Sequence, residues 1–403
     1  MATISNTPRP GYAWDSTDNC WYPIGVGQHS HGEIPASTVD AKGDILVGTA
    51  NDTVSKRSVG VDGSVLIADS TQATGLNWAG TMQYAGKNKI INGDFSIWQR
   101  GTSLSGSNTY LADRWSNNFG AASSFSQSRQ TFTPGSAPVA GYEGKYFWRG
   151  TVTNAGSETA WYLNHFIEDV QTLAGQTVTI SFWAKADSTR LIGVYFNQVF
   201  GSGGSTAVNT QIGGTITLTT SWTRHTATVT IPSISGKTVG TNSYVQIFWA
   251  GQIASGFTVD LWGVQLEAGS VATPFVPAGG GSPQAELALC QRYYQRYTND
   301  SAFDDLGYNG RATNSTTIYA VRTPYVPFRT VPSSVDFANV TWITQWGAGT
   351  TGISNIALSS YCSADSPLLV FTTTGVTSGS NYIILSGNVG SGLAYIGLSA
   401  ELA

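Results

Sequence analysis

Polar and apolar side chains alternate along the stretch Gln176-Thr177-Val178-Thr179-Ile180-Ser181-Phe182-Trp183-Ala184. This period of two is typical of a β-strand that turns one face to a core and the other to solvent. The same alternation returns in four further stretches, at 191–196, 224–231, 244–250 and 257–266. Because these stretches are short, separated by turn residues and without helical spacing, the sequence predicts antiparallel sheets. We expect them to pack as a β-sandwich over residues 88–278.

Beyond the sandwich, residues 278–282 are rich in glycine and predict a hinge. Ser282 suits a helix N-cap and proline is favoured at the first helical position, so a helix is predicted over 283–297. Its apolar positions follow spacings of 3, 4 and 3 along one seam: Leu287, Cys290, Tyr294 and Tyr297. That seam favours a short coiled coil in the segment 279–297, and a helix lying on the sandwich is the alternative. Six further strand patterns predict a second, terminal β-sandwich over residues 298–403.

The N-terminal region differs from both predicted sandwiches. Residues 1–28 are rich in proline, glycine and aromatic residues without any strand or helix period, which favours an attachment segment over residues 1–38 that is ordered by docking on another protein. A disordered leader is the alternative. Residues 39–87 alternate short strand patterns with glycine turns, and have too few apolar positions for a monomeric core. Intertwining with identical chains would supply the missing contacts. We therefore expect a slender trimeric shaft over residues 39–87.

The amino-acid composition argues against several classes of protein and partner. Only 20 basic and 24 acidic residues occur in 403, while glycine is abundant at 47 and tryptophan at 13. A net charge of −4 without a basic run argues against nucleic acid as a partner. No apolar stretch is long enough for a membrane helix, and the aromatic content is too high for disorder. Three distant cysteines imply no disulfide framework. The N-terminus has no pattern of a secretory signal, so we expect synthesis in a cytoplasm.

Two sets of motifs resemble phage proteins. Lys42-Gly43-Asp44-Ile45-Leu46-Val47-Gly48-Thr49-Ala50, with Gly75-Leu76-Asn77-Trp78, is similar to the shaft module of bacteriophage tail fibres. The opening Asn92-Gly93-Asp94-Phe95 and the closing Val259-Asp260-Leu261-Trp262-Gly263-Val264-Gln265-Leu266 resemble jelly-roll carbohydrate-binding modules that recur in such fibres. The resemblance implies an all-β, elongated homotrimer in the virion, attached through residues 1–38 to baseplate or tail proteins.

Two metal sites are predicted. His29 and His31 share one face of an extended strand, so three chains would bring six imidazoles to a trimer axis, enough for iron or zinc. His-x-His sites of this kind are known in phage fibres, and a pair of docking histidines is the alternative. The resemblance also implies a structural Ca²⁺ at Asp94 and Asp260, on the first and last strands. A buried aspartate satisfied by hydrogen bonds is the alternative for Asp260.

Aromatic side chains in polar surroundings are candidates for stacking on sugar rings, since their faces match the CH face of a pyranose. The candidates, for which core packing or a trimer interface is the alternative, are Trp115, Trp148, Trp161, Trp222, Trp342, Trp346 and Tyr361. The densest acidic cluster of the sandwich, Glu168-Asp169, makes a poor acid–base pair because adjacent residues of a strand face opposite sides. We therefore expect a protein that is not an enzyme.

The resemblance implies a structural tail fibre protein. Its role would be adhesion to the host surface through a glycan, with weak contacts multiplied by threefold avidity. An architectural baseplate or connector protein is the alternative, and a glycan depolymerase is a third, less favoured one.

Overall fold

The computed structural model describes residues 11–15, 20–23, 38–51, 53–60, 64–70, 72–79, 86–119, 124–139, 142–155, 160–252, 256–299, 301, 304–344, 350–386 and 393–402. The chain divides into two compact units, residues 1–82 and residues 83–403. Both consist of β-strands, and the described part of the chain has one α-helix. No helix in that part has the length and apolar character needed to span a membrane. The predicted all-β class is confirmed.

The first unit contains three antiparallel hairpins, β1–β2, β3–β4 and β5–β6. Their strands are β1 (Tyr12–Asp15), β2 (Cys20–Pro23), β3 (Ile45–Ala50), β4 (Thr53–Arg57), β5 (Val65–Ala68) and β6 (Leu76–Ala79). Among the hydrophobic residues described between 38 and 78, none is buried, and Val54, Val59 and Val65 are about half exposed. Isolated hairpins are marginally stable in water. This part of the unit therefore has no apolar core within its own described residues.

The second unit begins with a sandwich of two antiparallel sheets. Its strands are β7 (Ser103–Ser105), β8 (Trp115–Phe119), β9 (Ser124–Thr131), β10 (Tyr146–Asn154), β11 (Ala160–Ile167), β12 (Thr177–Ala186), β13 (Arg190–Val199), β14 (Val208–Leu218), β15 (Thr223–Thr230), β16 (Tyr244–Gln252) and β17 (Phe257–Ala268). The six-stranded sheet has the order β15-β12-β17-β10-β9-β7 and the five-stranded sheet the order β14-β13-β16-β11-β8. All five strand patterns predicted over 176–266 fall on strands of these two sheets.

Aromatic side chains fill the core between the two sheets. The ring of Trp249 on β16 lies 5.4 Å from that of Trp115 on β8 and 5.7 Å from that of Phe182 on β12, measured between centroids. All three side chains are fully buried. Because inward and outward positions alternate along each strand, the neighbours of these residues form the two outer faces of the sandwich.

The opening motif differs from its prediction as a strand. Residues 92–98 form turns and irregular backbone, with Asn92 and Phe95 at positive φ of 58° and 53°. The motif nevertheless lies against the last strand, because the Val264 amide donates to the Gly93 carbonyl at 2.8 Å. A Cβ at Gly93 would lie 2.2 Å from the Val264 carbonyl oxygen, so this close approach requires glycine.

The helix α1 (Pro283–Gln291) begins as predicted and ends earlier. The Ser282 Oγ accepts a hydrogen bond from the Ala285 amide at 3.3 Å, which caps the helix. Tyr294 and Tyr297 belong instead to a strand that starts at Tyr294. The predicted coiled-coil seam is wrong, since only its first two positions are helical.

Glu286 attaches the helix to the sandwich. Its Oε1 accepts from the Asn92 amide at 2.5 Å and its Oε2 from the Gly279 amide at 2.6 Å. Both Glu286 and the neighbouring Cys290 are buried. The alternative, a helix lying on the sandwich, describes the observed packing.

The C-terminal region forms a closed barrel with a small additional sheet. Its strands are β18 (Tyr294–Asn299), β19 (Asp305–Ala312), β20 (Thr317–Val321), β21 (Ser334–Ala338), β22 (Trp342–Thr344), β23 (Thr350–Leu358), β24 (Leu368–Thr373), β25 (Asn381–Leu385) and β26 (Ala394–Ser399). The barrel has the order β19-β20-β24-β23-β22-β25, and the sheet the order β18-β26-β21. The predicted terminal sandwich is therefore wrong. Bulges in β19 and β23 bend these strands, which helps the sheet to close on itself.

Charged side chains join the sandwich to the C-terminal region, at the boundary where a hinge was predicted. Fully buried Arg114 pairs with Glu401, and its guanidinium lies 3.4 Å from the ring centroid of Tyr293. Glu168 of the sandwich pairs with Arg292 at 3.0 Å and with Arg329 at 2.9 Å. Sandwich, helix and barrel accordingly belong to one compact unit.

Candidate functional site

The outer face of the five-stranded sheet is an open surface of aromatic and amide side chains. Along β16, Val245, Ile247 and Trp249 are buried in the core, while Gln246 and Phe248 point outward and are half-buried. The neighbouring strands follow the same alternation, so the outward residues of all five strands share this face.

Three aromatic side chains lie in the middle of the face. Tyr195 on β13 and Phe248 on β16 are directly opposite in the register, and their rings stack with centroids 4.8 Å apart and planes at 11°. The ring of Tyr162 on β11 lies 6.1 Å from that of Phe248 at 60°. Tyr162 is 37% exposed and the other two rings are half-buried. Together the three rings form an aromatic cluster in the middle of the face, which we call the aromatic platform.

A row of hydrogen-bonded amides crosses the same face. Asn197 Nδ2 donates to Gln246 Oε1 at 3.2 Å, and Gln246 Nε2 donates to Asn164 Oδ1 at 2.9 Å. Asn164 Nδ2 then donates to the Ser116 carbonyl at 3.3 Å. Because each amide is held by its neighbour, the remaining donors and acceptors are presented in set directions.

These residues line two adjoining depressions of about 460 and 560 Å³. The depressions share Tyr162, Asn209 and Phe248 and form one surface, which we call the sheet groove. Among its lining residues there are no aspartates, glutamates, lysines or arginines. Such a lining can stack on apolar faces and hydrogen-bond hydroxyl groups, and has no charge to attract an ion.

The C-terminal region supports one part of the sheet groove. Tyr110, Phe166 and Tyr244 line it and pack in a cluster with Tyr293 and Leu402. The Tyr110 hydroxyl donates to the Leu402 carbonyl at 2.7 Å. Burial raises the pKa of Tyr110 to about 12, so its hydroxyl remains a donor across the neutral range.

The structure corrects three predicted stacking residues. Trp115, Trp148 and Trp161 are 0%, 1% and 3% exposed and belong to the sandwich core, so they cannot present a ring to a sugar. The polar neighbours of Trp115 are buried as well, with Asp113, Arg114 and Asn117 at most 1% exposed, so polar sequence surroundings did not indicate an exposed ring. The core-packing alternative holds for all three.

The remaining aromatic candidates lie away from the sheet groove. Trp222 is half-buried and packs on Phe132 and Phe147 beside the six-stranded sheet, at centroid distances of 5.5 and 5.3 Å. Trp342 is half-buried on β22 of the barrel. Tyr361, also in the barrel region, is 80% exposed. Trp346 lies outside the described residues.

Asp260 has cationic partners where the prediction placed calcium. Its buried carboxylate accepts from Arg149 Nε at 2.6 Å and from Arg149 Nη2 at 2.8 Å, and Lys185 lies 3.6 Å away. Asp94 instead accepts from the Tyr142 hydroxyl at 2.9 Å. Within the described residues, no group of three or more His, Cys, Asp and Glu is placed to hold a metal ion. A buried aspartate satisfied by its partners is thus the observed state of Asp260.

His29 and His31 lie outside the described residues, so the iron or zinc site stays a prediction. Glu168, of the acidic cluster, is part of the ion pairs with Arg292 and Arg329. Burial acts to raise its pKa, but the hydrogen bonds and charges of both arginines lower it overall. A general acid in glycoside hydrolysis needs the opposite direction.

Sequence reasoning missed the sheet groove. The signal was present in the stretch Tyr244-Val245-Gln246-Ile247-Phe248-Trp249-Ala250, where one register is aliphatic or tryptophan and the other carries Tyr244, Gln246 and Phe248. An outward register that combines aromatic rings with amides is unusual for a plain solvent face. It indicates a binding surface once the inward register has been assigned.

Comparison with known proteins gave structural likenesses only. No family model and no curated protein matches the chain. A solved carbohydrate-binding module, CBM4, is 23% identical over 45% of this chain and 99% of its own, with a TM-score of 0.29. A family 61 module in complex with β-1,4-galactotriose is 12% identical over 45% and 99%, with a TM-score of 0.26.

A phage protein is also among the similar structures. The enzymatically active domain of tailspike protein 4 from bacteriophage CBA120 is 14% identical, with a TM-score of 0.31. The match covers 47% of this chain and 22% of the tailspike chain. Because all these TM-scores are low, the function proposed below rests on the sheet groove and on the chain's own residues.

Proposed function

We propose that the sheet groove binds a neutral glycan. The observation that carries this proposal is the combination of Tyr162, Tyr195 and Phe248 with a row of amides in a lining without charged groups. A pyranose has an apolar CH face and a rim of hydroxyl groups, which are the complements of an aromatic platform and an amide row. Charged side chains would add a desolvation cost without a partner on such a ligand.

The dimensions of the groove suit several linked sugars. It crosses five strands, and neighbouring strands are about 4.8 Å apart, so it extends over about 19 Å. Asn209 and Gln211 on β14 and Asn118 on β8 are exposed at its two edges. A glycan lying across the strands would meet the aromatic platform in the middle and amides at both ends.

The experiment is a glycan array with the full-length chain, followed by calorimetry on the neutral glycan that binds best. Phe248→Ala and Tyr195→Ala should each weaken binding about tenfold or more, which corresponds to about 1.4 kcal/mol. Tyr361→Ala, which removes an exposed ring outside the groove, is the matched control and should bind like the parent chain. Unchanged affinity in both groove variants, or no neutral glycan bound, would contradict the proposal.

At the level of the whole protein, we propose that this binding serves host adhesion by a homotrimeric phage tail fibre. The motifs of residues 42–50 and 75–78 support this proposal. So does the absence of buried hydrophobic residues among those described from 38 to 78, because sister chains would cover the exposed valines. Residues 1–38 would attach to the baseplate or tail, and three grooves would act together.

Light scattering on the full-length chain tests this second proposal separately. We expect the mass of three chains. A monomer that still binds glycan would contradict the fibre and leave the proposed glycan site standing.

A further inference from the structure

The barrel has a second depression whose chemistry differs from that of the sheet groove. It has a volume of about 520 Å³ and lies on the outer face of the barrel strands β20, β19 and β25. Along β19, Leu306, Tyr308 and Ala312 point into the barrel and are buried, so Asn309 and Arg311 point outward.

The register sets three polar side chains side by side. Arg311 is directly opposite Tyr319 on β20 and directly opposite Asn381 on β25. Two residues earlier on β19, Asn309 is opposite Val321 on β20 and Ile383 on β25. Residues opposite each other in an antiparallel pair have Cβ atoms about 4.5–5.5 Å apart, so a single ligand can contact the whole row. We call this surface the barrel site.

Arg311 is the one charged side chain that lines the barrel site. Within the described residues, its guanidinium has no carboxylate within ion-pair distance, and its side chain is exposed. Five arginines of the unit, Arg100, Arg114, Arg149, Arg292 and Arg329, each contact a carboxylate. Among the described ion pairs, Arg129, Arg224, Arg296 and Arg322 have no such contact either, but their guanidiniums lie over aromatic rings. The barrel site therefore presents a free guanidinium next to a tyrosine ring and two amides.

We propose that the barrel site binds a sugar that carries a carboxylate. The planar guanidinium of Arg311 matches a carboxylate through two parallel hydrogen bonds. The ring of Tyr319 offers a face to the sugar's CH groups, and Asn309 and Asn381 offer amides to its hydroxyl groups. The site lies on different strands from the sheet groove, so this inference is independent of the neutral-glycan proposal.

Calorimetry on the full-length chain with tetragalacturonate tests the proposal. We expect binding that weakens as salt is added, because the contact is ionic. Arg311→Gln should lower the affinity at least tenfold, and Arg311→Lys should restore part of it. The methyl-esterified oligomer is uncharged and cannot pair with Arg311. Its affinity for the parent should therefore be as low as the affinity of tetragalacturonate for the Arg311→Gln variant, or lower. 3′-Sialyllactose in parallel shows whether the carboxylate can come from a sialic acid.

The groove variant Phe248→Ala is the control for location and should bind tetragalacturonate like the parent. Thermal unfolding confirms that each variant is folded. Equal affinity of the parent for the acid and its methyl ester, or parent-like binding by Arg311→Gln, would overturn the proposal. A change in oligomeric mass caused by Arg311→Gln would also overturn it, since the face would then be a contact between chains.

Discussion

The two outer faces of the sandwich differ in their exposure to solvent: one is covered by other side chains and the other is open. The outer face of the six-stranded sheet is covered: Trp183 and Trp262 lie under a layer that includes Phe132, Tyr142 and Phe275. The outer face of the five-stranded sheet carries aromatic rings too, but Tyr195 and Phe248 line an open groove. Aromatic side chains thus add stability on one face and remain available for a ligand on the other.

Truncating one aromatic ring on each face should give the largest difference in the free energy of unfolding. Trp262 is fully buried and lies 5.2 Å from Phe275 between ring centroids, so Trp262→Ala should cost about 3–5 kcal/mol of stability. Phe248→Ala should cost about 1 kcal/mol or less, since its ring already faces solvent. Urea unfolding of both variants measures the difference. Similar losses would show that the open face is part of the structural core.

The covered face was partly predictable from the sequence. The alternation of residues 177–182 predicted the strand and its inward face, and Ser282 followed by Pro283 predicted the start of the helix. The other face of that strand was expected to meet solvent, but Thr179, Ser181 and Trp183 are buried. Tyr294 and Tyr297 were misassigned because their spacing fits a helix, whereas pairing with β26 draws them into a strand. Closure of the barrel depends on bulges and long-range pairing, for which local patterns give no signal.

The open face was missed for a related reason. The prediction looked for tryptophans in polar surroundings and chose Trp115, Trp148 and Trp161, whose rings face inward, and the polar residues around Trp115 are buried as well. Which register is buried depends on the partner sheet, and a single strand does not show it. Once the inward register is known, Phe248 and Gln246 follow from the sequence alone.

Removing a charge from the covered face should have the next largest effect. Asp260→Asn replaces the buried carboxylate that holds Arg149 with two hydrogen bonds, and should cost about 1.5–3 kcal/mol. Thermal unfolding with and without a calcium chelator makes the test sharper. We expect the chelator to leave the parent's melting temperature unchanged, because the partners of Asp260 are cations of the protein. A lower melting temperature with chelator would instead support the predicted structural Ca²⁺ at Asp94 and Asp260.

Acid should weaken the sandwich through His165, which is buried directly behind the open face. Burial, with the nearby charge of Arg114, lowers its pKa well below 6.5. Below about pH 6.5 the unfolded chain binds a proton at this histidine and the folded chain does not, so the contribution of His165 to stability falls as the pH is lowered. The slope for one proton is about 1.4 kcal/mol per pH unit.

Urea unfolding between pH 7 and pH 5 measures this dependence. Burial raises the pKa of Glu286 to about 7, so the folded chain binds a proton there over the same range and this group opposes the slope of His165. His165→Gln should leave the opposing contribution of Glu286, so this variant should gain stability relative to the parent as the pH falls, even if its overall stability is lower. His225 is the matched histidine, only half-buried on β15, with a pKa that burial lowers less far. His225→Gln should keep a pH dependence close to that of the parent, and an equal change in both variants would contradict the assignment to His165.

The smallest expected effect is a loss of glycan affinity when the amide row is changed and the aromatic platform of the open face is kept. Asn197→Ala removes the first donor of the row, which holds Gln246 Oε1 at 3.2 Å. Since one hydrogen bond contributes about 0.5–1.5 kcal/mol, the affinity for a neutral glycan should fall about 2- to 12-fold. Gln246→Ala interrupts the row in its middle and should weaken binding more, because Asn164 and Asn197 both lose their partner. Calorimetry on both variants decides whether the row acts as a unit: equal losses would mean that each amide contacts the glycan separately.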